Sequence, residues 1–173
     1  ITPNPFTTPQ TRTVNTQFGN LSVTVRDLFG NGVGGRSVTF SARLTGPSGT
    51  FPGGRRDTTI ITNDNGVAEA PTFIANTIAG AHIVTAVAPP ITQAADFNLT
   101  NIAGNPRSIV STGGTPQQTQ VNTTFSAVFA ATVRDTFGNP VVQRAVTFSV
   151  PSSGPSGSFV NGQNDYNTDD SGV

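Results

Sequence analysis

This chain contains most of itself twice. Thr8-Pro9-Gln10 returns as Thr115-Pro116-Gln117, and Val14-Asn15-Thr16 as Val121-Asn122-Thr123, both 107 positions on. Thr24-Val25-Arg26-Asp27 then matches Thr132-Val133-Arg134-Asp135, and Phe29-Gly30-Asn31 matches Phe137-Gly138-Asn139, now 108 on, so one residue is inserted between. Val38–Ser41 returns as Val146–Ser149, and Gly46-Pro47-Ser48-Gly49-Thr50-Phe51 as Gly154-Pro155-Ser156-Gly157-Ser158-Phe159. A period this long exceeds any solenoid unit and equals one independently folding sandwich domain. The repeat therefore divides the chain into copies at 1–103 and 104–173, with a short, uncharged linker expected over Asn101–Pro106 that permits limited bending only.

Each copy reads as short strands broken by Gly, Pro, Asn and Asp. Leu21, Val23 and Val25 alternate with Ser22, Thr24 and Arg26, so the first set is expected to face a core. Val38, Phe40 and Ala42 repeat the pattern after the Phe29–Gly32 turn. Further strands are expected near 57–62, 67–75, 81–88 and 93–101, with Ile60, Phe73, Val84, Ala86, Phe97 and Leu99 pointing inward. No window carries a 3.6-residue apolar period, so no helix longer than about two turns is expected. This is the pattern of an all-β fold of tandem Greek-key sandwiches.

The runs TVRDLFGNGVGGRSVTF, TNDNGVAEAPTFIANTIAGAHIVTAV and ADFNLTN, in that order, resemble the bacterial immunoglobulin-like repeats of invasin- and intimin-type surface adhesins. The resemblance covers copy one and the front two thirds of copy two. It implies Ig-like sandwiches in extracellular arrays that serve as stalks or spacers carrying a binding tip; residues of a lectin-like tip are not among those present.

Composition narrows the function classes. Formal net charge is zero and charged residues make up 10% of the chain, with nine Arg and no Lys spread along it, which leaves no electrostatic footprint for nucleic acid. Only Arg55 and Arg56 are adjacent, and they read as a solvated loop. Cys is absent, which excludes a disulfide framework or thiolate metal site. No apolar run is long enough for a membrane-spanning helix, and no signal peptide is visible. Met is absent too, so a processed product or a piece of something longer is expected.

The residues that invite a chemical reading sit mostly in turns. Asp27, Gly30 and Asn31, with their counterparts Asp135, Gly138 and Asn139, close a strand and open a turn in which Asp accepts backbone N–H groups and Gly takes a positive φ. Asp64 with Gly66, and Asp170 with Gly172, occupy a second recurring turn. Both superficially suggest Ca²⁺ loops, yet they lack the further carboxylates a hard cation needs, so turn geometry is the expectation and no metal or cofactor is assigned. His82 stands alone and reads as packing at the core edge, Glu69 is the single Glu, and no nucleophile has a base beside it. No catalytic residue is assigned, and the chain is not expected to be an enzyme. Asn20, Asn98 and Asn122 open Asn-x-Ser/Thr triplets of the kind composition alone produces. Tyr166 reads as an exposed loop aromatic.

Copy two stops at Val173, the counterpart of Val67. It holds no equivalent of Ala68–Asn101, which in copy one supplies Phe73, Val84, Ala86, Phe97 and Leu99. Burial of those side chains is comparable with the whole stability of a domain, so the second sandwich is expected to be incomplete and open-edged. Two sources of the missing strands are open: the same chain continuing, or donor-strand addition from an identical subunit in a filament. The leading functional expectation is a structural stalk, spacer or fibre segment outside the cell, its partners neighbouring Ig-like repeats. An adhesion module gripping a host receptor or glycan through end loops is the alternative, and Ig-like decoration of a phage virion or tail is a third.

Overall fold

The computed structural model describes all residues 1–173 and is all-β, its only helical turns being two three-residue 3₁₀ segments, Pro52–Gly54 and Val160–Gly162. The chain divides into unit 1, Ile1–Ile102, and unit 2, Ala103–Val173.

Unit 1 contains β1 (Thr2–Pro3), β2 (Gln10–Thr13), β3 (Ser22–Thr24), β4 (Ser37–Ala42), β5 (Gly49–Thr50), β6 (Asp57–Ile61), β7 (Val67–Glu69), β8 (Ile74–Ala75), β9 (Gly80–Val87) and β10 (Ala95–Ile102). Two sheets are built from these, β1-β3-β7 and β2-β10-β9-β4-β6, with a small β5-β8 ribbon beside them. The first two strands join opposite sheets and β7 crosses back beside β3, which is the two-sheet Greek-key order of an Ig-like sandwich. All pairings are antiparallel except β2 with β10, where Gln10–Thr13 runs parallel to Leu99–Ile102.

Alternation along the strands fills the core. Val84 and Ala86 of β9, Phe97 and Leu99 of β10, and Val38 and Phe40 of β4 face Leu21, Val23, Val25 and Ala68 from the other sheet. Phe40 and Phe97 lie with ring centroids 6.0 Å apart, and Phe18, Phe51 and Phe73 form a second aromatic group. Ile60 is half-buried and packs at the margin.

Three expectations for unit 1 need correction. Ser22 and Thr24 are buried as well, because Asn4 next to β1 covers that face: its Nδ2 donates to Ser22 Oγ at 2.9 Å and its Oδ1 accepts from Thr24 Oγ1 at 2.6 Å. The strand expected over 67–75 is two short ones, since Ala70 completes the pairing with Leu21 and the chain then crosses to bring Phe73 and β8 against the Phe18 segment and β5. Asn101 and Ile102 belong to β10 rather than to the linker, and β11 already starts at Pro106.

Unit 2 contains β11 (Pro106–Gly113), β12 (Ala130–Asp135), β13 (Ala145–Thr147) and β14 (Asp165–Asn167). They form two separate ribbons, β11-β12 and β13-β14, counterparts of β1-β3 and β4-β6. Tyr166 therefore lies in a strand, not a loop, with its ring against Phe148. Gln117–Gln120, the counterpart of β2, forms no strand. The second sandwich is incomplete.

Removing Phe97 from its fully buried site should cost unit 1 about 3–5 kcal/mol in urea unfolding followed at β9 and β10 amides, whereas Val121→Ala in unit 2 should change stability by less than about 0.5 kcal/mol.

Candidate functional site

The recurring Arg-Asp-x-Phe-Gly-Asn turn is built identically in both units. Asp27 Oδ1 accepts the backbone N–H groups of Phe29 at 2.9 Å and Asn31 at 2.8 Å, and Asn31 Nδ2 donates to Asp27 Oδ2 at 3.0 Å. Arg26 reaches round to donate to the Gly30 carbonyl at 2.7 Å, which Gly30 presents by adopting φ 87°. In unit 2, Asp135 accepts from Phe137, Asn139 and the Asn139 amide at 2.8–2.9 Å, and Arg134 donates to Gly138 O at 2.8 Å.

One difference separates them. Asp135 Oδ2 also accepts the N–H of Gly104, at 2.9 Å, and both Asp135 and Asn139 are buried, while Asp27 and Asn31 are exposed. Burial would raise the Asp135 pKa, but the Asn139 amide and the Gly104 N–H outweigh it and hold the carboxyl below its ordinary value. Asp27 is also lowered, chiefly by the Asn31 side chain. At the tip of the unit 1 turn, Leu28 and Phe29 are 101% and 90% exposed.

The second turn takes its acceptor from the position before Asp64 and Asp170. Its acceptor is Asn63, whose Oδ1 takes the N–H groups of Asn65 and Val67, both at 3.0 Å, and in unit 2 it is Asp169, which takes those of Ser171 and Val173. Asp64 and Asp170 occupy the next position and supply neither bond. Gly66 and Gly172 both take positive φ, and a Cβ on Gly66 would collide with the Val25 carbonyl and Gly32. Thr62 locks this turn to the preceding loop by donating to Val33 O and accepting from Arg36 N; Thr168 repeats the arrangement with Val141 and Arg144. The two turns of each unit are thereby joined, since Val25 N donates to Gly66 O and Val133 N to Gly172 O, both at 2.8 Å.

The polar residue that the sequence did not single out is Asn101. It is buried, and its Nδ2 donates to Ser48 O, Asn76 Oδ1 and Ile78 O at 2.9–3.0 Å, tying three loops at the end of the sandwich away from the Asp27 turn. Its only sequence signal is an Asn on the inward phase of an alternating strand. Glu69 pairs with the Asn20 amide at 2.5 Å, and Arg56 donates to Leu44 O, so both serve as loop and strand-edge braces.

His82 is 4% exposed, with Phe18 and Phe73 at ring-centroid distances of 5.8 and 6.3 Å. Neither ring nitrogen has a hydrogen-bond partner. Burial pushes its pKa below the ordinary 6.5, the Arg43 charge adds to this, and the Gly80 backbone opposes it without giving a bond of good geometry. No three His, Asp or Glu side chains converge as a metal-binding group.

A third feature is a wide groove in unit 2 of about 1420 Å³, whose lining mixes Phe125, Phe129 and Phe148 with polar residues such as Gln120, Asn122 and Thr123.

No protein-family model matches the chain, and no curated protein matches it in sequence. Among solved structures, the chain is similar to invasin, a bacterial integrin-binding protein, at 19% identity and a TM-score of 0.44 over 80% of this chain and 28% of that one. It is also similar to domains 4–9 of the surface layer protein SbsC, at 16% identity and a TM-score of 0.37 over 95% of this chain and 26% of that one. The chain thus spans little more than a quarter of either structure.

Two measurements check this description. Because the unfolded chain protonates His82 more readily than the folded one, its stabilising share is complete above about pH 6.5 and declines as pH falls through and below that value. The melting temperature of unit 1 should therefore drop between pH 7 and 5, and His82→Leu should flatten that slope. Excess EDTA should leave melting unchanged, since the turn carboxylates are spent on N–H groups of the chain; a fall of several degrees would expose a cation site.

Proposed function

We propose that the chain is a non-enzymatic, array-forming structural module of the bacterial cell surface, a stalk or spacer that builds length outside the cell. The observation that carries this reading is the reuse of one turn at two positions. In unit 2 the Asp135 turn receives the N–H of Gly104, from the segment that joins the repeats. Unit 1 presents the same turn, built by the same bonds. Donor and acceptor both lie in unit 2, so the repeat carries within itself the acceptor that fixes its own leading segment, a feature that can recur in every copy of a series. The bonding within the units suits a rigid element, because side-chain amides and hydroxyls are engaged in locking loops to one another.

A second reading, adhesion to a receptor or glycan through the end loops, draws on Leu28 and Phe29, since large apolar side chains at a loop tip are unusual unless something covers them. The two readings separate in one experiment. Chains carrying two, three and four copies of residues 1–105 in series, viewed by electron microscopy, should lengthen by a constant increment per copy. Compact clusters of irregular size, together with specific glycan or receptor binding that Leu28→Ser and Phe29→Ser abolish, would replace the spacer with the adhesin.

A further inference from the structure

Asn is followed by Gly at three places, Asn31-Gly32, Asn65-Gly66 and Asn161-Gly162. The pair is chemically labile in water, because Gly has no side chain to keep its backbone nitrogen away from the preceding side-chain carbonyl carbon. Attack needs two freedoms: the Asn amide must turn toward its own backbone, and the peptide joining the pair must rotate. All three Asn are exposed, so access of water does not rank them.

Their surroundings rank them. Asn31 Nδ2 donates to Asp27 Oδ2 at 3.0 Å and its backbone N–H to Asp27 Oδ1 at 2.8 Å. A Cβ placed on Gly32 would lie 2.1 Å from the Asn65 carbonyl oxygen, so the backbone there has no room to turn. At Asn65 the backbone N–H and that of Val67 are both tied to Asn63 Oδ1, and Gly66 N donates to Asn63 O at 2.8 Å. Gly66 is also wedged against Val25 O and Val33 N. Asn161 has no such restraint. Its side-chain amide has no partner, and nothing lies within 4 Å of a Cβ placed on Gly162. The one bond across the pair, Gly162 N to Phe159 O at 3.1 Å, closes a three-residue turn that has no side-chain cap and buries no residue. The counterpart of this tip in the complete sandwich of unit 1, Gly53-Gly54, is equally exposed and equally open, so the openness belongs to the loop and not to the incomplete sheets of unit 2.

We propose that Asn161 is a site of spontaneous covalent modification in the folded chain, converted to aspartate and isoaspartate through a cyclic imide. The Gly162 nitrogen gives up its proton to solvent base and bonds to Asn161 Cγ. The Cγ–Nδ2 bond breaks, and Nδ2 leaves as ammonia with a proton from water. One water molecule then opens the ring. Breaking the bond between the ring nitrogen and Cγ gives aspartate, and breaking the bond to the backbone carbonyl carbon gives isoaspartate. The net reaction consumes one water, releases one ammonia and adds a negative charge to a chain whose formal charge is zero. At this exposed tip the new charge is solvated. The same change at Asn31 would set a second carboxylate against Asp27 and remove the donor that holds it. The labile Asn therefore stands where conversion leaves both recurring turns intact.

The test incubates the full chain at mildly alkaline pH and follows the three Asn-Gly peptides by mass spectrometry, with ammonia release and anion-exchange chromatography alongside. Asn161 should convert at least about tenfold faster than Asn31 and Asn65, since their reaction waits on local opening of bonded turns. A more acidic form of the chain should appear with one ammonia released per converted molecule and isoaspartate among the products at residue 161. Asn161→Gly, which reproduces the Gly53-Gly54 tip of unit 1, should remove that early acidic form and leave the melting of unit 1 unchanged. In concentrated urea all three sites should convert at comparable rates, because the protection of Asn31 and Asn65 comes from the fold. Conversion of Asn31 or Asn65 in the folded chain as fast as that of Asn161, an early acidic form that persists in Asn161→Gly, or a rate order that urea leaves unchanged overturns the proposal.

Discussion

The pairing of β10 on both of its sides is the interaction on which the sandwich depends. One edge takes β9 antiparallel and the other takes β2 parallel, so this strand joins the first part of unit 1 to its last. Its inward residues are Ala95, Phe97, Leu99 and Asn101, of which the middle two fill the core and the last gathers Ser48, Asn76 and Ile78. Pairing, packing and loop closure thus meet on eight residues. Unit 2 shows what the same sequence pattern does without such a strand: the β2 counterpart does not become a strand, the six-residue β4 becomes three residues, and Phe148 and Phe159 keep ring contacts at 6.5 Å while remaining partly exposed. Turn geometry survives there intact. Local hydrogen bonds build the turns, and long-range burial builds the sheets.

That division explains which features were legible in the sequence. The recurring turn was readable because everything that forms it lies within six residues, Arg26 to Asn31, and each residue type has a local job. The inward set Val84, Ala86, Phe97 and Leu99 was readable from alternation alone. The burial of Ser22 and Thr24 was not, because it is imposed by Asn4, some twenty residues away in sequence, and alternation reports only one face of a strand. The choice of Asn63 over Asp64 as acceptor was equally hidden. Both types suit such a turn, and the decision depends on where the strand ends, which pairing with Arg36 and Val67 determines.

The buried polar groups show how the core tolerates cost. The two hydrogens of the Asn101 Nδ2 are shared among three acceptors while its Oδ1 has no partner, and His82 leaves both ring nitrogens bare among aromatic rings. Each unpaired buried group costs on the order of 1–3 kcal/mol. The two residues lie on adjacent strands near the same end of unit 1, where His82 stands opposite Leu99 and Gly80 opposite Asn101. At the opposite end, the Asp27 carboxylate and the Asn63 side-chain oxygen accept backbone N–H groups of their own turns. Loss of structure on acidification should accordingly begin at the Asn101 end.

The parallel alignment of β2 with β10 sets how unit 1 responds to a pull on its two ends. If the two ends of unit 1 are drawn apart, β1 is taken first, and it is held by only two residues on β3. The pull then passes to β2 in the direction of its N-terminus and to β10 in the direction of its C-terminus. Parallel strands pulled this way slide past one another, so their hydrogen bonds, including the one from Val14 N to Ile102 O at 2.9 Å, are strained together rather than opened in turn. An antiparallel terminal pair would peel one bond at a time under the same pull. The buried Val14 and Leu99 side chains stand at the two ends of that paired stretch, so sliding the strands also drags apolar surface out of the core. Resistance to extension is thus a consequence of topology, and it resides in the same strand that closes the fold.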